Sequence, residues 1–175
     1  MNETRTPPQT HTTTPTTPST PTAPTAPTTS ELTADSPGGS SGPTLFATFR
    51  ARDAAALIDY LQDVLGFVLT ARYDDGERVA HAELRRPDGR GGVMLGDVQE
   101  GAEWSPEPGG AGLYVVVDEI DTLYERVVAK DAQVITPLAD TPYGSREFAV
   151  RDPEGNMWSF GTYAGEQVPA VRAPE

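Results

Sequence analysis

His81, Glu83 and Glu147 are the side chains in this 175-residue chain whose types suit acid–base or metal chemistry, and the strands they sit on say how they are presented. Alternate residues of a strand share a face. In the run Val79 to Arg85 that period sets Val79, His81, Glu83 and Arg85 on one side and Ala80, Ala82 and Leu84 on the other. The apolar side must meet a core, so the polar side is expected to look into open space. The same reasoning turns Ser145, Glu147 and Ala149 outward and sets Phe148 and Val150 inward, so that His81 and Glu147 are expected to approach each other. Read as chemistry, His81 suits a general base or a ligand-binding donor. Read as structure, it is a histidine satisfied by neighbouring carboxylates. No cofactor is expected, and a divalent ion would have to be held by His81, Glu83 and Glu147, on residue type alone.

Aromatic and polar residues surround these positions. Phe46, Thr48, Tyr114 and Met157 share the outward parity of their strands, while Trp104 and Tyr143 lie in loops able to fold over a rim. Such a set suits a flat or cationic organic ligand, and it equally suits packing between two halves of the chain. Trp158 and Phe160 have the opposite parity to Ser159 and are assigned to the core. Arg146 follows Gly144-Ser145 at a strand start and suits either a clamp on an anionic group or a surface pair with Glu147 or Asp152. Gly91-Gly92 is too short for a phosphate loop and precedes a strand. One histidine outside the first 42 residues argues against a Ser/His/Asp hydrolase, and the absence of cysteine removes disulfides, thiolate nucleophiles and thiolate metal sites.

The elements that must position these residues follow from pattern. Leu45 to Arg50 reads as a strand, and Asp53 stands at an N-cap before a helix in which Leu57, Tyr60, Leu61, Val64 and Leu65 share one face, closed by Gly66. Phe67 to Tyr73, Val79 to Arg85 and Val93 to Leu95 read as strands separated by Asp-Asp-Gly and Pro-Asp-Gly turns. Residues 97 to 110, broken by prolines and glycines, connect to a second series: strand 113 to 117, helix 120 to 130, and strands 134 to 135, 146 to 151 and 157 to 160. Between the last two, Asp152-Pro153-Glu154-Gly155-Asn156 is a tight turn.

The two series are in register. An offset of 66 pairs Arg85 with Arg151, Pro87 with Pro153, Gly89 with Gly155, Leu57 with Leu123, and Leu61 with Val127. Two homologous β-α-β-β-β modules, about 43 to 96 and 111 to 164, are therefore expected to pair about a pseudo-twofold axis. The fold class is α+β: eight strands in an open, cup-shaped mixed sheet, with a helix outside each half. A concave face of this kind suits a small organic molecule. Because each module is too short to bury a core alone, their fusion or a homodimer is expected.

Residues 1 to 42 are mostly Thr, Pro, Ser and Ala, too poor in apolar surface to offset the entropy of ordering them, and read as a disordered tail, with a short second tail at 165 to 175. That segment carries neither the apolar run of a secretory signal nor that of a membrane anchor, so a cytoplasmic protein is expected. The formal net charge is −13, with 23 acids against 12 bases in residues 43 to 175. Phosphate backbones and anionic membranes would be repelled.

The paired modules, Arg52-Asp53 before the first helix, Val117-Asp118-Glu119-Ile120-Asp121 at the second, and Arg151-Asp152-Pro153-Glu154-Gly155-Asn156 followed by Trp158-Ser159-Phe160-Gly161 together resemble the glyoxalase/bleomycin-resistance group of the vicinal oxygen chelate superfamily. The resemblance spans about residues 43 to 164. It implies a cup that in metal-dependent members holds a divalent ion, at positions that fall here on Phe46, Val93, Gly112 and Ser159. None is a good ligand for such an ion. The implied function is therefore small-molecule binding of the bleomycin-resistance type. The alternative is a glyoxalase-like lyase or dioxygenase with a non-standard metal site or none.

Overall fold

The structure, a computed structural model, describes residues 45 to 102 and 105 to 166. The expected N-terminal tail, Trp104 and most of the C-terminal tail lie outside the described residues. The first module runs β1 (Phe46–Ala51), α1 (Ala54–Asp63), β2 (Val68–Asp75), β3 (Arg78–Arg85) and β4 (Gly92–Asp97). The second runs β5 (Gly112–Val116), α2 (Ile120–Ala129), β6 (Gln133–Asp140), β7 (Arg146–Arg151) and β8 (Met157–Gly161). The eight strands form two four-stranded sheets, ordered β1-β4-β3-β2 and β5-β8-β7-β6, each with one parallel pair and two antiparallel pairs. The twofold repeat of β-α-β-β-β is thus realised strand for strand.

Local chemistry accounts for the boundaries. Asp53 caps α1, its Oδ1 accepting the Ala56 N–H at 2.9 Å, and Asp97 at the end of β4 accepts from Ala54 N and Val79 N at 2.8 and 2.7 Å. Those two bonds satisfy donors that a helix start and a strand start would otherwise leave open. Gly66 follows α1 at φ 74°. β6 is longer than its two-residue apolar core suggested and includes Pro137; it is an edge strand with register shifts around Thr136, the setting in which proline is tolerated.

Each sheet packs one face on its helix. Leu57, Ile58 and Leu61 of α1 meet Ala82, Leu84, Val93 and Leu95, and Val127 of α2 joins Phe148, Val150, Trp158 and Phe160 in the same continuous core. Trp158 sits at the junction, its ring edge-on to Phe49 at 6.1 Å and Phe67 at 5.6 Å between centroids, and is fully buried. Across the same junction Glu154 accepts from Arg52 N and Asp53 N at 2.9 and 2.8 Å, placing a carboxylate at the positive end of α1.

Two expectations about strand faces are corrected by the pairings. Ala47 pairs with Val93 and Leu113 with Trp158, while Leu84 pairs with Val93 and Val150 with Trp158. Val93 therefore corresponds to Trp158, an offset of 65, and Ser159 corresponds to Met94. The reason is the turn: six residues (86 to 91) separate β3 from β4, but five (152 to 156) separate β7 from β8. Val93 is buried on the helix side and lines no cup. Val79 is also buried with the core, because the pairing shifts between Tyr73/His81 and Asp74/Val79, a β-bulge at Ala80 that reverses the parity.

Candidate functional site

The face of each sheet away from its helix carries the candidates in cross-strand rows. In the first module the rows are Val68, Arg85, Gly92 and Phe46, then Ala71, Glu83, Met94 and Thr48. Beyond them Tyr73 pairs with His81, and Arg50 with Gly96. In the second module they are Gln133, Arg151, Met157 and Gly112; Thr136, Ala149, Ser159 and Tyr114; and Ala139, Glu147, Gly161 and Val116.

His81 lies on the open face of β3 as its parity predicts, with its Nε2 3.3 Å from Glu83 Oε1 and its ring beside Tyr73. Its side chain keeps 40% of its surface exposed, so it is a carboxylate-paired histidine that remains reachable. Glu147 lies on the open face of β7 and accepts from the Tyr114 hydroxyl at 3.1 Å. The structure bonds each acid within its own module and makes no His81–Glu147 contact. Tyr143 is exposed at the loop before β7, and its phenol pKa is raised chiefly by the neighbouring Glu147 carboxylate, against a lowering contribution from Thr141. Tyr163 packs edge-on against Tyr143 at 6.2 Å and its hydroxyl reaches Glu166, so three tyrosines gather around acid on this side. Tyr163 was absent from the sequence reading because only the turn of the chain after β8 brings it there.

The other candidates divide. Phe46, Thr48, Met157 and Ser159 occupy open-face positions, Met157 and Tyr114 substantially exposed. Arg146 is committed to Asp121 and Asp140 at 2.8 and 3.0 Å, and Asp121 is pulled below the usual carboxylate range chiefly by that guanidinium. Arg146 thus forms a surface pair, but with Asp121 and Asp140 and not with Glu147 or Asp152, the partners expected from the sequence. Ser145 is buried in the turn before β7, its hydroxyl taking Tyr163 N at 3.1 Å, and does not face the cup.

Two arginines on the first module's open face were not singled out by the sequence. Arg85 lies with its guanidinium carbon 5.8 Å from the centre of the Phe46 ring, and Arg50 lies over Gly96. The Nε of each is buried without a hydrogen-bond partner among the described residues. A signal existed: both share the parity of Phe46 and His81.

A cleft of about 420 Å³ opens elsewhere, between the modules beside Trp158, with Ala47, Phe67, Leu113 and the Arg86-Asp88-Arg90 turn in its walls. Among the described candidates only Tyr114 reaches it. Asp88 is held below its ordinary value there: burial pushes it up, but bonds from Arg90 N–H and the Arg86 and Arg90 guanidiniums outweigh it.

The residues present do not fit the family's divalent ion. With the corrected register the four positions hold Phe46, Met94, Gly112 and Ser159, which offer a ring, a thioether, no side chain and a neutral hydroxyl. Among the described residues no group of three or more His, Asp or Glu side chains converges as a metal would require.

A family model described as the Glyoxalase/Bleomycin resistance protein/Dioxygenase superfamily matches residues 45–160. An uncharacterized protein of Mycobacterium bovis is 30% identical over 127 residues, which cover 68% of this chain and 82% of that protein. Among solved structures, TioX from Micromonospora sp. ML1 superposes with a TM-score of 0.57 at 27% identity, over 71% of this chain and 98% of its own. A glyoxalase I mutant from Zea mays superposes with a TM-score of 0.56 at 19% identity, over 70% of this chain and 46% of its own, a likeness of fold alone.

Proposed function

The chain belongs to the glyoxalase/bleomycin resistance protein/dioxygenase superfamily, and on that premise we propose that it is a small-molecule-binding protein of the bleomycin-resistance type that works without the family's metal. The observation that carries this reading is the donor set: Phe46, Met94, Gly112 and Ser159 stand where catalytic relatives need His, Gln or Glu. In their place the open faces carry ring and charge. Tyr114 and Tyr143 beside Glu147, with Tyr163 packed against Tyr143, favour a flat organic ligand with positive charge, through stacking and attraction to the carboxylate.

The alternative, a lyase or dioxygenase using His81, Glu83 and Glu147, has less support. Glu147 is bonded to Tyr114 while His81 and Glu83 pair on another strand. A homodimer in the cytoplasm is part of the proposal. Val68 and Tyr73 leave apolar surface in water on the edge strand β2, which a second copy would cover. The acid excess disfavours nucleic acid and anionic membrane, and among the described residues no helix is long and apolar enough to cross a membrane.

Equilibrium dialysis against a panel of cationic and aromatic natural products tests the reading, together with elemental analysis of protein purified without chelator. Binding of panel members with no stoichiometric metal is expected. One tightly held divalent ion per chain, lost together with turnover in His81→Ala, would establish the enzyme instead.

A further inference from the structure

Arg85 and Arg151 are the same residue of the repeat, one at the end of β3 and one at the end of β7. Arg151 is satisfied: it donates from Nη1 to the Gly155 carbonyl of its own turn at 3.1 Å. Arg85 makes no such bond, since the turn that follows it is one residue longer and its charged groups are engaged with one another. Arg86 and Arg90 both bind Asp88, and Arg86 N–H donates to the Gly91 carbonyl. The Phe46 ring lies over Gly92, the residue that pairs with both Arg85 and Phe46, and the Arg85 guanidinium carbon stands 5.8 Å from the centre of that ring. A Cβ at Gly92 would come within 2.7 Å of that ring and 2.8 Å of the Leu84 carbonyl, so the position of the Phe46 ring depends on glycine. Glu83, the acid two residues before Arg85 on the same face of β3, is paired with His81 at 3.3 Å.

A guanidinium with a buried, unpartnered Nε–H lacks the partner its desolvation calls for. In a domain with an excess of 11 negative charges (23 acids less 12 bases), Arg52, Arg72, Arg78, Arg86, Arg90 and Arg146 pair with carboxylates, whereas Arg85, like Arg50, has no such partner among the described residues. It also stands beside Phe46, the position from which relatives supply a metal ligand.

We propose that Arg85 and Phe46 form a binding subsite for an anionic oxygen group, a carboxylate above all, on a flat ligand: the guanidinium receives the oxygens and the ring receives the adjoining plane. The subsite rests on the small-molecule reading above and adds a requirement to it. A ligand that satisfies both open faces carries an anionic oxygen for Arg85 as well as the positive charge favoured near Glu147.

The test is NMR titration of the full chain with 2-naphthoate, the uncharged 2-naphthamide and 2-naphthylmethylammonium, following arginine Nε–H and aromatic ring resonances. Naphthoate is expected to move Arg85 Nε–H and the Phe46 ring, and to bind about tenfold or more tighter than the amide. Arg85→Gln is expected to abolish that preference at unchanged amide affinity, Arg85→Lys to keep a reduced preference, and Arg151→Gln to leave it intact. Equal binding of naphthoate and naphthamide overturns the subsite while leaving a binding cup, and so does a carboxylate shift at Arg50 or Arg151 in place of Arg85. No response of either open face to any of the three probes overturns the binding reading itself, and the subsite with it.

Discussion

The turn of the second module has five residues and every polar side chain in it is bonded: Asp152 accepts from Asn156 N, Asn156 Nδ2 and Trp158 Nε1, all at 2.9 Å, and Glu154 accepts from the start of α1. The turn of the first module has six, and its Arg86, Asp88 and Arg90 bind mainly one another, with a single reach across to Asp118 at 3.2 Å. One repeat unit thus serves two purposes. The second module's copy locks the junction between modules, and the first module's copy leaves a cleft there and an arginine free on the open face. The cores differ as well: α1 buries four residues (Ala54, Leu57, Ile58, Leu61) where α2 buries two (Ile120, Val127), and the second module compensates with Trp158, Phe148 and Phe160.

Substitutions at matched positions can break this contrast. Trp158→Ala should cost about 3–5 kcal/mol in denaturant unfolding, whereas Val93→Ala at the corresponding position should cost about 2 kcal/mol. Equal losses would mean that Trp158 is not the keystone of the junction. Next in size, Asp152→Ala should cost about 3 kcal/mol because it strands three buried donors, while Arg86→Ala should stay below about 1 kcal/mol. Chemical denaturation of the two variants side by side decides whether the turns are as unequal as their bonding.

A smaller effect of opposite sign is expected at Tyr60, on α1 facing Asp152. Its hydroxyl is buried without a partner among the described residues, and burial, then the Asp152 charge, push its pKa up to about 12. Tyr60→Phe should therefore gain about 1 kcal/mol at neutral pH. Since the folded pKa is raised above the ordinary phenol value of about 10, the contribution of Tyr60 is fully present below pH 10 and is lost as the pH rises toward 12. Melting curves at pH 9 and 11.5 should show the wild type losing more than Tyr60→Phe.

The smallest expected effect is at the acid end. Asp88 is depressed in the folded state, so its contribution is present above about pH 4 and declines as the pH falls through the lower folded value. Asp88→Asn should flatten the acid limb of the stability curve, and an unchanged limb would show that the Arg86–Asp88–Arg90 cluster contributes nothing to the first module's turn.

Much of the fold was legible in the chain because its signals are local. Alternation placed His81, Glu83 and Glu147 on open faces and Trp158 and Phe160 in the core; Asp53 read as a cap; and the Pro-x-Gly turns with one offset exposed the duplication. What sequence by itself determined is therefore the α+β class, the repeat and the two turns.

Tertiary structure alone decided the rest, for a physical reason that recurs at each correction. A one-residue difference in turn length, or a bulge at Ala80, moves a side chain to the opposite face without any local sign in composition, because register is set by pairing between strands distant in sequence. Val93 and Val79 moved inward that way. Charge partners are also non-local: Arg146 was taken by Asp121 on α2 and Asp140 on β6, while the Nε of Arg85 and that of Arg50 are buried without a partner among the described residues.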